Sequence, residues 1–305
     1  MPDYTVTELT GYVEDIHLYT CLKEYECSHT STGPGYFDNL PESLESLFCD
    51  GCGIANLDHL PSGLKLLCCS SNNITSLDNL PPGLEILRCS FNPINSLDNL
   101  PSTLIKLNCR QTGITALDNL PRGLLYLNCL INNISALNNL PPGLTELVCG
   151  YNPIDGLDNL PEGLLILHCE RTSVSSLNNL PLGLLELCCL GNPLTSLKLP
   201  DGLRRIQCYE NLFYLLSNVP DGLEALHYRS TNITSRLMAV LKIKHVYYTQ
   251  KYGPRLVRGL FWRVKRQRFA QVHHDILYDP NIQLRNKSGS WYYINLYKSG
   301  WQYLA

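Results

Sequence analysis

A leucine-proline pair at positions 40–41 returns every twenty residues as far as Leu180-Pro181. Eight residues after each proline stands a cysteine, from Cys49 through Cys189. After a one-residue deletion the series goes on with Pro200 and Cys208. A short fixed period of this kind means one supersecondary unit stacked on copies of itself. No single unit can bury its apolar face alone, so the stack is the fold. Such a stack presents a surface, which points away from an enzyme.

The cleanest copy reads Leu84-Glu85-Ile86-Leu87-Arg88-Cys89-Ser90-Phe91-Asn92-Pro93-Ile94. Leu87 and Cys89 lie two apart and therefore share the inward face of a short strand. Ile86, Arg88 and Ser90 then face outward. Asn92 stands where the chain turns away, in a column occupied by Cys52, Asn72, Asn92, Thr112, Asn132, Asn152, Thr172, Asn192, Asn211 and Thr231. Buried turn backbone needs hydrogen-bond partners, so this column predicts a ladder of side-chain bonds. The return path, Asp98-Asn99-Leu100-Pro101 and its copies, is too short and too proline-rich for a long helix. It predicts extended or 3-10 segments, with each Asp bonded to its own turn backbone ahead of the proline.

The phrase resembles the leucine-rich repeat consensus L-x-x-L-x-L-x-x-N-x-L, with cysteine at the third leucine. The Leu-Pro-x-x-Leu phrase and the twenty-residue period resemble the short bacterial-effector subtype. They are also similar to leucine-rich repeat proteins of large DNA viruses of amoebae. The resemblance covers roughly residues 40–235. It implies an α/β-type solenoid, mostly β, with short parallel strands on the concave face and extended or 3-10 segments on the convex face. The effector ligases of that subtype carry a large catalytic domain after the repeats. About 55 residues follow here, so that activity is not expected.

Three regions are expected: an N-terminal cap with a divergent repeat (1–35), the solenoid with a terminal strand (36–251), and a C-terminal capping segment (252–305). Leu22-x-x-Tyr25-x-Cys27 and Ile243-x-x-Val246-x-Tyr248 fit the template at the two ends. The alternating run Val13–Leu18 predicts a strand, and Ser235–Lys242, which lacks proline, predicts a helix. Residues 251–305 hold ten Lys or Arg against two Asp, and all three tryptophans, Trp262, Trp291 and Trp301. Residues 255–277 read as a basic, loosely amphipathic helix. Its main expected role is to shield the last rung. Binding of calmodulin or of an acidic membrane surface is the lesser alternative.

Fourteen cysteines raise the question of disulfides. Neighbouring ladder thiols would lie about 5 Å apart, but their Cβ vectors run parallel into the core rather than toward each other. Free cysteine behaves there as a small apolar residue. The pattern predicts a reduced core in a reducing intracellular compartment, cytoplasmic or the cytosol of a host cell. No secretory signal opens the chain, and no run approaches the length of a membrane span. Cys49-x-x-Cys52 falls on ordinary template positions, so no metal site is expected, and no cofactor.

The outward columns carry the functional information. Arg88, Lys106 and Arg110 make a basic margin. Tyr126, Leu130, Ile131, Val148 and Tyr151 follow as an apolar patch. Glu146, Glu170 and Glu186, with Ile166 among them, make an acidic margin. Contiguous exposed apolar patches mark interfaces, and aromatic anchors ringed by charge are what protein interfaces use. The two signs together do not suit nucleic acid, which favours a basic stripe. No catalytic constellation stands out. The chain is expected to be a non-enzymatic scaffold that binds a protein partner through the concave face. One alternative is a structural protein with weak head-to-tail self-association, because residues 1–30 carry six acids and one Lys while the C-terminus is basic. Another, resting on resemblance alone, is a host-directed virulence or adaptor factor.

Overall fold

Three residues of each repeat, such as Ile86–Arg88, Lys106–Asn108 and Tyr126–Asn128, form a strand. Each lies parallel to the same residues of the next copy, with Ile86 opposite Lys106 and Lys106 opposite Tyr126. The computed structural model describes residues 7–10, 16–29, 36–212, 215–217, 219–228 and 245–248. Among these, thirteen parallel strands make one sheet in chain order, from Glu8–Thr10 to His245–Tyr248. The chain is thus a leucine-rich repeat solenoid with its strands on the concave face. The deletion before Pro200 is absorbed in the turns, since Glu186 still pairs with Arg205 in unbroken register.

Glu24–Glu26 joins the sheet on one side and His245–Tyr248 on the other. The strand expected within Val13–Leu18 is not there: Ile16–Leu18 is a 3-10 turn, and Glu8–Thr10 supplies the first strand instead. Alternation was a poor guide over so short a run, because Ile16 alone of the three is buried. On the convex side the segments are turns and extended chain, with 3-10 helix at Ile16–Leu18 and Tyr36–Asn39. Ser196–Lys198 and Leu215–Ser217 add a separate parallel pair there. The helix expected over Ser235–Lys242 and the capping segment 252–305 lie outside the described residues.

The core is a set of columns. Leu47, Leu67, Leu87, Leu107, Leu127, Leu147, Leu167 and Leu187 are fully buried at the strand centres. The cysteines two residues on are equally buried. Each such leucine contributes on the order of 2 kcal/mol by area removed from water.

The column after the strands is the ladder the turns require. Asn132 Nδ2 donates to the carbonyls of Cys109 at 2.9 Å and Cys129 at 3.0 Å. Its Oδ1 accepts from Thr112 N at 3.0 Å and Gly113 N at 2.8 Å. Asn72, Asn92, Asn152, Asn192 and Asn211 each donate to two cysteine carbonyls in the same way. The convex aspartates behave otherwise than expected. Asp78 and Asp98 accept from the side-chain amides of Asn99 and Asn119 one rung further on, at 3.0 and 2.9 Å. Their own turn amides are satisfied by Ser76 and Ser96. The serine two residues ahead reaches the amide first and frees the carboxylate to bridge rungs.

Removing a ladder side chain strands several buried groups at once. Asn132→Ala should cost about 3 kcal/mol, read by urea denaturation, since each buried group left unpaired costs roughly 1–3 kcal/mol. Cys129→Val should be milder than Cys129→Ser, which puts a hydroxyl into an apolar column. A serine variant more stable than the valine one would refute the apolar character of that column.

Candidate functional site

The strand pleat sends every inward column to the core and leaves three outward columns plus the residue that follows them. Of the positions singled out in the sequence, Arg88 and Lys106 are exposed, while Arg110, Tyr126, Ile131, Glu146 and Ile166 are half-buried. Tyr151 is 42% exposed. The remaining four are corrections to the expected open patch. Leu130 is 1% exposed, Val148 6%, Glu170 3% and Glu186 7%. They stand in outward columns, but rungs about 4.8 Å apart bring neighbouring side chains close enough to exclude water from one another. Of the apolar and aromatic positions singled out, those that reach solvent are therefore Tyr126, Ile131, Ile166 and Tyr151 rather than the full set.

Glu170 shows how this cover is built. An added Cβ on Gly150 would lie 2.6 Å from its carboxyl carbon, so the acid lies across the space that Gly150 leaves. Its Oε2 is buried with no hydrogen bond. Glu186 sits in a different arrangement. His168 Nε2 lies 3.5 Å from one of its oxygens, and Arg205 Nη1 donates to the other at 3.1 Å. Burial holds the Glu146 carboxyl above the ordinary range, with His168 opposing the shift. The acidic margin is thus a partly neutralised cluster rather than a row of free carboxylates.

Sequence reasoning missed His168, Arg205 and Phe91. His168 stands in the central outward column, and Arg205, the other basic group on Glu186, is displaced by the deletion from the twenty-residue count. Phe91 belongs to the column just before the ladder, where the backbone is left-handed: φ is 57° at Phe91, 51° at Gln111, 57° at Ile131, 53° at Tyr151 and 49° at Arg171. Only glycine adopts this conformation freely, and other residues spend roughly 1–2 kcal/mol there. Gly51 and Gly191 occupy the same column without that strain. The guanidinium of Arg110 stacks 5.3 Å from the Phe91 ring centre, and that of Arg171 lies 5.9 Å from Tyr151. Arg171 also donates to Glu210 at 2.7 Å.

The thiols do not form a reactive site. All fourteen cysteines are free, and all but Cys21 are buried. Cys52 Sγ donates to the Cys27 carbonyl at 3.0 Å and Cys49 Sγ to the Cys68 carbonyl at 3.3 Å. Among the described residues no group of three or more His, Cys, Asp or Glu is placed to hold a metal ion. Among them, too, no helix is long and apolar enough to cross a membrane.

The fold is shared with solved leucine-rich repeat structures. YopM from Yersinia enterocolitica matches 69% of this chain at 30% identity, with a TM-score of 0.57. The match covers 51% of YopM, so the chain spans about half the length of that protein. An internalin from Listeria monocytogenes matches 81% of this chain and 88% of its own, at 17% identity and a TM-score of 0.60. A leucine-rich repeat protein of Leptospira interrogans matches 76% of this chain and 62% of its own, at 20% identity and a TM-score of 0.54. No protein-family model and no curated protein matches the chain. The likeness establishes the class, leucine-rich repeat solenoids, a fold that commonly serves protein–protein interaction.

The thiol columns give a pH prediction. Burial pushes Cys89, Cys129 and Cys208 up to about 12, against an ordinary value of 9.0. The folded state therefore holds these thiols protonated where the unfolded chain would ionise them. Their stabilising contribution is complete below pH 9.0 and is lost as the pH climbs toward 12. Urea midpoints measured from pH 8 upward should fall steeply above about pH 9. A thiol reagent at pH 8 should label Cys21 quickly and the buried thirteen only after denaturation. Rapid labelling of several ladder thiols in the folded protein would contradict their burial.

Proposed function

We propose that this chain is a non-enzymatic scaffold that binds a protein partner through the concave face, centred on Tyr126 and Tyr151. The observation that carries the reading is an asymmetry between columns. The repeats form an alignment within one chain, and their inward columns hold Leu, Cys and Asn or Thr with little change. The central outward column runs Cys68, Arg88, Asn108, Asn128, Val148, His168, Cys188 and Gln207. The fold sets the first group and leaves the second free. Where it leaves freedom, the chain places tyrosines between a basic margin, Arg88, Lys106 and Arg110, and an acidic one, Glu146, Glu170 and Glu186. Leu130, Val148, Ile131 and Ile166 support and border the tyrosines. Aromatic anchors in partly desolvated settings with charged rims dominate protein interfaces.

The mixed sign of the face argues for a protein rather than a nucleic acid. The buried thiol columns favour a reducing compartment such as the cytosol, because thirteen closely stacked thiols are safest where nothing oxidises them.

The Tyr126→Ala, Tyr151→Ala double variant removes the anchors and leaves the inward columns untouched. It should change the melting temperature little and weaken a partner by about 2 kcal/mol or more, roughly thirtyfold. Affinity capture from cells of the native source, run in parallel with the parent chain, is the measurement. Proteins retained equally by both would remove the concave face as the binding site. Arg88→Ala with Lys106→Ala should mainly slow association and flatten its salt dependence.

A further inference from the structure

Beside the strand sheet lies a groove of about 490 Å³, walled by Phe91 and Ile131, with Pro93, Gln111 and Asn133 around it and Gly113 at its centre. Gly113 has φ 95°, and an added Cβ there would meet nothing within 4 Å, so the groove is open at that point. Both walls stand in the left-handed column, where a bulky aromatic and a β-branched side chain are the least favoured occupants. Glycine serves the same turn at Gly51 and Gly191. Large apolar side chains are thus held at positions where the fold would be better served without them. Strain kept in this way concentrates at functional sites.

The surroundings fix the sign of what enters. Positions 86–91, 106–111 and 126–131 contain Arg88, Lys106 and Arg110 and no acid. Among the described residues Arg88 and Lys106 form no salt bridge. Arg110 stacks on Phe91 itself, so a cation stands at the groove wall.

We infer that this groove takes an aromatic or branched apolar side chain of a partner protein, from a segment whose flanking residues are Asp or Glu. The inference rests on the protein-binding reading above and extends the interface from the strand sheet onto its flank. Ile131 and Tyr151 connect the two, and Phe91 is the added anchor.

The test uses a displayed library of random twelve-residue peptides, selected on the full chain, on Phe91→Asn with Ile131→Asn, and on Tyr126→Ala. Asparagine tolerates the left-handed turn better than either residue it replaces. The parent chain should enrich peptides with an aromatic or branched apolar residue between acids. The asparagine double variant should lose that enrichment at least tenfold while its melting temperature holds or rises. A clear fall in its melting temperature would mean the two side chains serve the fold, and the inference would fail. Enrichment of basic peptides, or none, would sink it too. Peptides lost on Tyr126→Ala but kept by the asparagine variant would leave the concave face as a binding site and overturn the groove alone.

Discussion

One side-chain amide per turn sets the spacing on which everything else depends. Inside a solenoid the turn backbone has no water, and strand pairing cannot reach it. Asn152 resolves this by donating to the carbonyls of Cys129 and Cys149 while its Oδ1 accepts from Ile134 N. Each amide therefore ties its own rung to the one before. Threonine is a partial substitute. The hydroxyls of Thr112 and Thr172 reach the cysteine carbonyl of their own rung and the next asparagine's Oδ1, but no carbonyl of the rung before, and their amides rely on that same asparagine. Both are followed by an asparagine, Asn132 and Asn192, that supplies the missing acceptor. Because the ladder works only when turns coincide, an insertion within the strand-to-asparagine segment is not tolerated, and the deletion before Pro200 falls outside it.

The cysteine column follows from the same constraint. Its position lies between a strand that must pair and an asparagine that must bridge, so the residue there must be small and apolar. Cysteine meets both demands and adds a weak donor, as with Cys109 Sγ to the Asn128 carbonyl at 3.4 Å. The consequence is electrostatic. Each thiolate would be desolvated beside other thiols, which is why Cys109 and Cys149 are driven upward by burial first and by neighbouring cysteines second. Ionising the stack therefore works against the fold, and the one thiol outside it is the exposed Cys21.

The repeat architecture of the solenoid was legible in the sequence, because a period of twenty residues requires Leu87 and Cys89 to be buried together in every copy. The outward columns were legible in direction but not in exposure. Leu130 and Val148 are outward and yet covered, since cover depends on neighbouring side chains rather than on the pleat. The cluster of Glu186 with His168 and Arg205 was missed because it spans three rungs, one of them displaced by the deletion. The groove was missed for another reason. The left-handed turn at Phe91 and Ile131 leaves no mark in hydrophobic periodicity, and its usual sign, glycine, appears only at Gly51 and Gly191.

That column is where the needs of the fold and of the surface conflict most visibly. The chain must turn left-handed immediately before each asparagine so that the amide can point inward, and the ladder does not depend on which side chain makes the turn. A sequence governed by stability alone would place glycine or asparagine there in every copy. This chain does so at Asn99, Asn119 and Asn139, the left-handed turns of the convex side, where the side chains are polar. Along the flank of the concave face it places Phe91, Ile131 and Tyr151 among Ser71, Gln111, Arg171 and Glu210. The same backbone demand is met mostly by asparagine on the convex side and by varied residues, polar, apolar and glycine, on the other. The fold thus fixes the backbone of this column and leaves its side chains open.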